Sequence, residues 1–133
     1  MTFYFDRCFG KRFPQALRTA DPPFTVEFHH DPGNKFEFTQ TTPDDEWLAK
    51  VGAEGWIVFS HDRKFHKRLP ERTAIKQHKV GCFYLWGANE GIWLKTHCFM
   101  RGYDNIARCV ATTPKPFIYS VARDGQIKQV RIP

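Results

Sequence analysis

Short apolar runs alternate along the chain with longer segments whose apolar residues recur at helical spacing. The apolar runs predict buried strands. They cover residues 2–5, 24–30, 56–59, 82–86 and 116–122. The intervening segments, such as the one carrying Phe13, Ala16 and Leu17, place apolar side chains three and four residues apart. That spacing predicts helices with one buried face.

Regular alternation of strands and helices predicts a parallel sheet covered by helices on both faces. We therefore expect a three-layer α/β/α fold with a central, mainly parallel sheet of about five strands. Asp124-Gly125 is a tight-turn signal, after which residues 127–132 return as an antiparallel edge hairpin. No linker or repeat divides the chain, so residues 1–133 are predicted to form a single domain.

Three details of this prediction concern particular glycines and tryptophans. Gly81 is expected to end the third helix, which begins at Pro70. Gly102 weakens the middle of the last helix, predicted over residues 92–110, and is a candidate break. All four tryptophans lie in apolar patterns and are expected in the core. They are Trp47, Trp56, Trp86 and Trp93.

Composition narrows the class of protein. The chain carries a formal net charge of +6, which favours a polyanionic partner. No apolar run approaches the roughly 20 residues that span a bilayer, so no membrane association is expected. The four cysteines have no C-x-x-C spacing, which is typical of free thiols in a reducing cytoplasm. We expect a cytoplasmic protein.

The candidate chemistry lies where the predicted strands end. Asp6, Asp31 and Asp62 each follow an apolar strand, and Asp44 begins a helix. The carboxyl ends of parallel strands share one edge of the sheet, so these acids are expected to lie together. Clustered carboxylates repel unless a cation neutralises them, and their hard oxygens suit Mg²⁺ or Mn²⁺.

Other interpretations of these residues stay open. An aspartate after a strand is often only a turn former, and Asp44 could simply cap its helix. Glu71 is interpreted as a complement to a helix dipole, with a remote metal role as the open alternative. A zinc site is a weaker alternative, because the histidines near strand ends lack the usual ligand spacing. The residues considered for it are His29, His30, Asp31, His61 and His66.

Basic residues follow the acids and are expected to flank the same edge, where they could contact a phosphate backbone. They are Arg7, Lys11, Arg12, Arg63, Lys64, Lys67 and Arg68. Phe9 or Phe65 is a candidate to stack on a single-stranded base. A solvated, salt-bridged surface is the competing interpretation.

Three segments together resemble the PIN-domain nucleases, most closely the compact PIN-like branch related to VapC-type toxins. They are residues 3–6 with the following helix, residues 44–48, and residues 55–62. The resemblance implies a metal-dependent endoribonuclease whose metal-binding, catalytic acids are Asp6, Asp44 and Asp62. It places Ser60 in an auxiliary role, and the spacing to Asp62 favours Asp44 over its neighbour Asp45, which stays auxiliary.

Larger PIN domains carry a further helical Glu between the first two acids, and this chain has none there. Asp31, on a loop, is the only substitute as a metal ligand. The departure supports an alternative function, a catalytically inactive PIN-like RNA-binding module. A receiver-like phosphoacceptor is less consistent, since Asp6 is followed by Arg7 instead of a second acid.

The expected partner is RNA. The resemblance also suggests the toxin half of a toxin–antitoxin pair, with a cognate antitoxin protein as a second partner. A homodimer is a further expectation, because the predicted terminal strand from Ile127 leaves an exposed sheet edge that invites pairing.

Overall fold

The computed structural model describes residues 1–133 and contains one six-stranded sheet in the order β2-β1-β3-β4-β5-β6. The strands are β1 (Thr2–Phe5), β2 (Thr25–Phe28), β3 (Ile57–Ser60), β4 (Gly81–Leu85), β5 (Phe117–Val121) and β6 (Ile127–Gln129). The helices are α1 (Arg12–Thr19), α2 (Asp44–Ala53), α3 (Leu69–Gln77) and α4 (Ile92–Thr112). A short 3-10 helix, Arg7–Phe9, follows β1.

The sheet has the predicted direction of strands. β1 pairs in parallel with β2 and β3, and β4 pairs in parallel with β3 and β5. Only β6 is antiparallel, alongside β5. The predicted mainly parallel sheet with an antiparallel edge is therefore confirmed.

Side chains that alternate along the strands build one core on each face of the sheet. Phe3 and Phe5 of β1 pack in a cluster with Phe13 of α1 and Phe99 of α4. Tyr4 points to the other face, where its cluster contains Trp47 and Leu48 of α2 and Ile75 of α3. Helices thus cover both faces, and the predicted three-layer arrangement is confirmed.

Helix α4 runs without interruption from Ile92 to Thr112, so the candidate break at Arg101-Gly102 is wrong. Gly102 is buried where α4 crosses β5, and a Cβ atom there would lie 2.9 Å from Val121 Cγ1. The glycine permits this close contact, and packing outweighs its low helix propensity. Neither α4 nor any other helix is long and apolar enough to cross a membrane.

The predicted core position of Trp93 is also wrong. Trp93 is 84% exposed, whereas Trp47 is fully buried. The buried stripe of α4 passes through Lys95, Cys98 and Phe99 instead. Trp93 lies outside this stripe, so its apolar neighbours in sequence are not its neighbours in space.

The prediction that Gly81 ends α3 is wrong. Gly81 begins β4 inside the core. Helix α3 ends at Gln77, and Lys79 adopts a positive φ of 52° in the turn that follows. A Cβ atom at residue 81 would lie 2.6 Å from Phe117 Cζ on the neighbouring strand. The glycine is therefore required by the packing of β4 against β5.

We expect Gly81→Ala to lower the free energy of unfolding by about 1–3 kcal/mol, the usual cost of overpacking a core. Strand propensity alone predicts the opposite sign, since glycine weakens strands. Urea unfolding followed by tryptophan fluorescence would measure the change. The matched control is Gly33→Ala, where the added Cβ has an ordinary 3.5 Å contact. Equal stability of the two variants would contradict this account of Gly81.

Candidate active site

A row of aromatic side chains sets the register of the central strands. Phe5 of β1 pairs with Phe59 of β3, and Phe59 pairs with Phe83 of β4. Their rings stack with centroids 5.0 and 5.3 Å apart. Asp6 and Ser60 directly follow two of these residues, and the Asp6 amide donates to the Phe59 carbonyl at 3.1 Å. The register therefore places Asp6 beside Ser60.

Asp6 is only 2% exposed and is held from two sides. The Ser60 hydroxyl donates to Asp6 Oδ2 at 2.5 Å, and the Cys8 amide donates to Asp6 Oδ1 at 3.1 Å. Burial raises the pKa of Asp6 from 3.8 to about 7, although both hydrogen bonds oppose the rise and the charge of Asp44 adds to it. Asp6 therefore holds its proton to a higher pH than an exposed aspartate does.

Ser60 also positions the acid that follows β3. Its Oγ accepts from the Asp62 amide at 2.9 Å while donating to Asp6. The Asp62 carboxylate forms a two-point pair with Arg68, with Nη1 to Oδ2 at 2.7 Å and Nη2 to Oδ1 at 3.3 Å. One fully buried hydroxyl thus joins the first and last predicted catalytic acids.

Asp44 is the first residue of α2, and an arginine holds it near β1. Arg7 Nη2 donates to Asp44 Oδ1 at 2.6 Å and to the Thr42 carbonyl at 2.6 Å. The indole of Trp47 donates to the same Asp44 oxygen at 2.9 Å. Asp44 makes no capping hydrogen bond to the helix backbone. Its carboxylate binds the side chains of Arg7 and Trp47 instead of the backbone amides of α2.

Arg68 connects three acidic side chains. Besides Asp62, its Nη1 lies 3.9 Å from Asp44 Oδ2 and 3.8 Å from Glu71 Oε1. The pairing with Asp62 raises the pKa of Arg68. The side chain of Glu71 is 13% exposed, and its Oε2 is buried without a hydrogen-bond partner. Glu71 is therefore a fourth acid at this edge.

The predicted catalytic acids are linked to one another, Asp6 to Asp62 through Ser60 and Asp62 to Asp44 through Arg68. Burial and the charges of Asp6, Asp62 and Asp44, in that order, raise the pKa of Cys8 to about 12. Their carboxylate oxygens are the donor type that Mg²⁺ and Mn²⁺ prefer. However, no three histidine, cysteine, aspartate or glutamate side chains are placed to hold a metal ion. The donor chemistry fits such an ion, while arginines engage two of the acids.

The remaining acidic candidates lie outside this group. Asp31 pairs with Arg18 at 3.1 Å and accepts from the Gly33 amide. Asp45 is exposed and lines a surface cavity with Leu69 between α2 and α3. The structure therefore separates both residues from Asp6, Asp44 and Asp62.

The histidines considered for zinc make separate contacts. His29 Nδ1 lies 2.8 Å from the Tyr4 hydroxyl, and His66 Nδ1 lies 2.9 Å from the Tyr84 hydroxyl. His61 Nδ1 donates to the Leu85 carbonyl at 2.7 Å, and burial lowers the pKa of His61 to about 4. They do not converge on one point.

The seven basic candidates fall into two groups. Arg7 and Arg68 form ion pairs with Asp44 and Asp62 and so partly neutralise the acids. The other five are exposed and form no ion pair. They are Lys11, Arg12, Arg63, Lys64 and Lys67.

The predicted stacking by Phe9 or Phe65 is wrong. Phe9 is 5% exposed and Phe65 is fully buried. Phe9 belongs to the core on the α1 and α4 face, and Phe65 to the core on the α2 and α3 face. Neither ring presents a face to a base.

The sequence favoured a helix-dipole role for Glu71 and left a remote metal role open, and the structure joins Glu71 to the acids through Arg68. Arg68 precedes α3 as its N-cap residue and Glu71 lies in the first turn, so this contact forms across the start of the helix. Lys95 was missed entirely. Its signal was a lysine three and four residues before Cys98 and Phe99 on the buried stripe of α4.

A family model described as "PIN like domain" matches residues 1–87. The matched segment contains Asp6, Asp44, Ser60, Asp62 and Glu71. No curated protein and no solved structure matches the chain.

Asp6 should make stability depend on pH. The folded state keeps a proton between pH 3.8 and about 7 that the unfolded chain releases, so the free energy of unfolding falls as pH rises through that window. The slope is at most about 1.4 kcal/mol per pH unit for one group. We expect Asp6→Asn to remove this fall, as measured by urea unfolding in EDTA from pH 4.5 to pH 8.

The exposed Asp104→Asn variant is the matched control and should keep the wild-type slope. Parallel pH profiles for wild type and Asp6→Asn would show that the burial of Asp6 does not control its ionisation.

Proposed function

Because the chain belongs to the PIN-like domain family, we propose that it is a divalent-metal-dependent endoribonuclease that hydrolyses RNA phosphodiester bonds. The observation that carries this proposal is the Ser60 hydroxyl, which joins the Asp6 carboxylate to the Asp62 backbone at the carboxyl edge of β1 and β3. In open α/β sheets ligands bind at this edge. A buried acid linked there to a second acid supports a catalytic site more than a set of turn formers.

Asp6, Asp44 and Asp62 would hold Mg²⁺ or Mn²⁺ through carboxylate oxygens. A bound ion lowers the pKa of a water molecule and stabilises charge on a phosphodiester during hydrolysis. Ser60 orients Asp6 and sets the position of Asp62. Arg68 keeps Asp62, Asp44 and Glu71 in one group, and a substrate phosphate would compete with these acids for its guanidinium.

The RNA backbone would lie along the five exposed basic residues, Lys11, Arg12, Arg63, Lys64 and Lys67. Lys11 and Arg12 come just after the 3-10 helix and Gly10, and the other three come after Asp62. Their charges are not used in ion pairs within the chain, so they are available to phosphates. This distribution supports RNA binding that weakens as salt rises.

Within this function we further propose a toxin role, with a cognate antitoxin protein as partner. Support comes from the sequence resemblance described above. Self-association is proposed through β6, because Ile127–Gln129 is the outer strand of the sheet and leaves one edge open.

A second candidate function is RNA binding without catalysis. It is favoured by the arginine pairing, since Arg7 and Arg68 already neutralise Asp44 and Asp62. It is also favoured by the lack of three side chains placed to hold a metal ion. In this case RNA binding would survive EDTA and no cleavage would occur.

Cleavage of a mixed pool of single-stranded and structured RNA should require Mg²⁺ or Mn²⁺ and stop in EDTA. We expect Asp62→Asn to lower the rate at least about 100-fold, as for other losses of preorganised charge stabilisation. Ser60→Ala should lower the cleavage rate less than Asp62→Asn, because it removes only the hydroxyl that positions Asp6 and Asp62. Gel analysis of end-labelled RNA would measure the rates.

Asp104→Asn is again the control, an exposed acid on α4 that should cleave like wild type. Metal-dependent cleavage that persists in both Asp6→Asn and Asp62→Asn would contradict the proposed site. Salt-sensitive RNA binding with no cleavage in any metal would establish the binding module instead.

A further inference from the structure

Lys95 is a charged side chain in an apolar position. It is 8% exposed and lies on the buried stripe of α4, followed by Cys98 and Phe99. It occupies the first turns of the helix, and helical side chains lean toward the helix N-terminus. Burying an ammonium group costs free energy unless something compensates it. The position of Lys95 therefore needs an explanation.

No group of the protein compensates this charge. Lys95 takes part in none of the seven ion pairs and donates no side-chain hydrogen bond. Its Nζ lies 6.0 Å from the centroid of the Phe9 ring, a weak cation–π contact. Glu90 is exposed and lies near Gly87, as Lys95 does, but it forms no ion pair with Lys95. Burial lowers the pKa of Lys95.

A ligand can still reach the ammonium. Two buried side-chain polar atoms lack a hydrogen-bond partner, His61 Nε2 and Glu71 Oε2. Lys95 Nζ also lacks a partner but is not one of these buried atoms, so it keeps some contact with solvent. The turn beside it contains Gly87, whose φ of 103° excludes most other residues. A side chain at that position would contact Lys95 Cγ at 3.5 Å.

The start of α4 adds further positive potential at this place. Its N-cap is Gly91, which supplies no side-chain acceptor. The amides of Ile92, Trp93 and Leu94 donate to no other group of the protein. The 21-residue helix directs its dipole at the same turn. Lys95 directly follows these three residues in α4. Free amides at a helix start and an ammonium group are usual components of an anion site.

This place borders the candidate active site. His61, directly before Asp62, packs against Phe9 with ring centroids 4.1 Å apart, and Lys95 Nζ lies 6.0 Å from the centroid of the same Phe9 ring. The acids occupy the α2 and α3 side of the sheet edge, and Lys95 occupies the α4 side.

We infer that Lys95 and the free amides of the first turn of α4 form a phosphate-binding subsite, which holds a backbone phosphate of the nucleic acid next to the phosphate attacked at the acids. The nature of the ligand rests on the proposed function, whereas the anion site does not. A nucleic acid strand crossing the edge from the acids to α4 would place successive phosphates at the two positions.

Inorganic phosphate is the first probe, because it tests the anion site without RNA. In ¹⁵N-resolved NMR titrations, phosphate should shift the amides of Ile92, Trp93 and Leu94 in the wild-type protein. Lys95→Met should abolish the shifts, and Lys95→Arg should retain them. The matched control, Lys115→Met, removes a partly buried lysine whose pKa is also lowered, near Gly55, and should leave the shifts unchanged.

A single-stranded oligoribonucleotide is the second probe. In Lys95→Met the salt dependence of its binding should fall by about one phosphate contact relative to Lys115→Met. Phosphate shifts that are absent in wild type, or equal in Lys95→Met, would overturn the subsite even if RNA is cleaved. Phosphate binding at Lys95 by a protein that neither binds nor cleaves RNA would retain the anion site and overturn the proposed function.

Discussion

The stacking of Phe5, Phe59 and Phe83 fixes the register on which the rest of the site depends. Parallel strands can slip by whole residues only if their buried side chains find equivalent partners, and a one-residue slip would turn each ring to the wrong face. With the register fixed, Asp6 and Ser60 become lateral neighbours. One buried hydroxyl can then hold both Asp6 and Asp62. The aromatic row therefore gives the acids their geometry.

Charge on the two sides of the sheet edge is arranged in opposite ways. On the α2 and α3 side, Arg7 and Arg68 compensate Asp44 and Asp62, because carboxylates gathered in one place repel one another. On the α4 side, Lys95 and three helix amides have no compensating acid. One side is suited to a cation and the other to an anion. A phosphodiester backbone with bound metal supplies both.

The sequence was sufficient to predict the parallel sheet, because β1, β3, β4 and β5 are mostly apolar runs, β2 alternates apolar and polar residues, and the helices have apolar stripes. It also located the acids, since Asp6 and Asp62 directly follow strands. It could not show which arginines would turn back onto those acids, because the Arg7 to Asp44 pair joins residues far apart in the chain. Local pattern also failed at Gly81 and Trp93, where the neighbouring β5 and the orientation of α4 decide burial.

Direct binding of Mn²⁺, measured by electron paramagnetic resonance of the free ion, tests the central claim that the edge acids form a cation site. The account predicts saturable binding to the wild-type protein that is lost in Asp6→Asn and Asp62→Asn and retained in Asp104→Asn. It also predicts tighter binding above pH 7, where Asp6 is ionised. Binding that is absent in the wild type, or unchanged by both substitutions, would contradict the account.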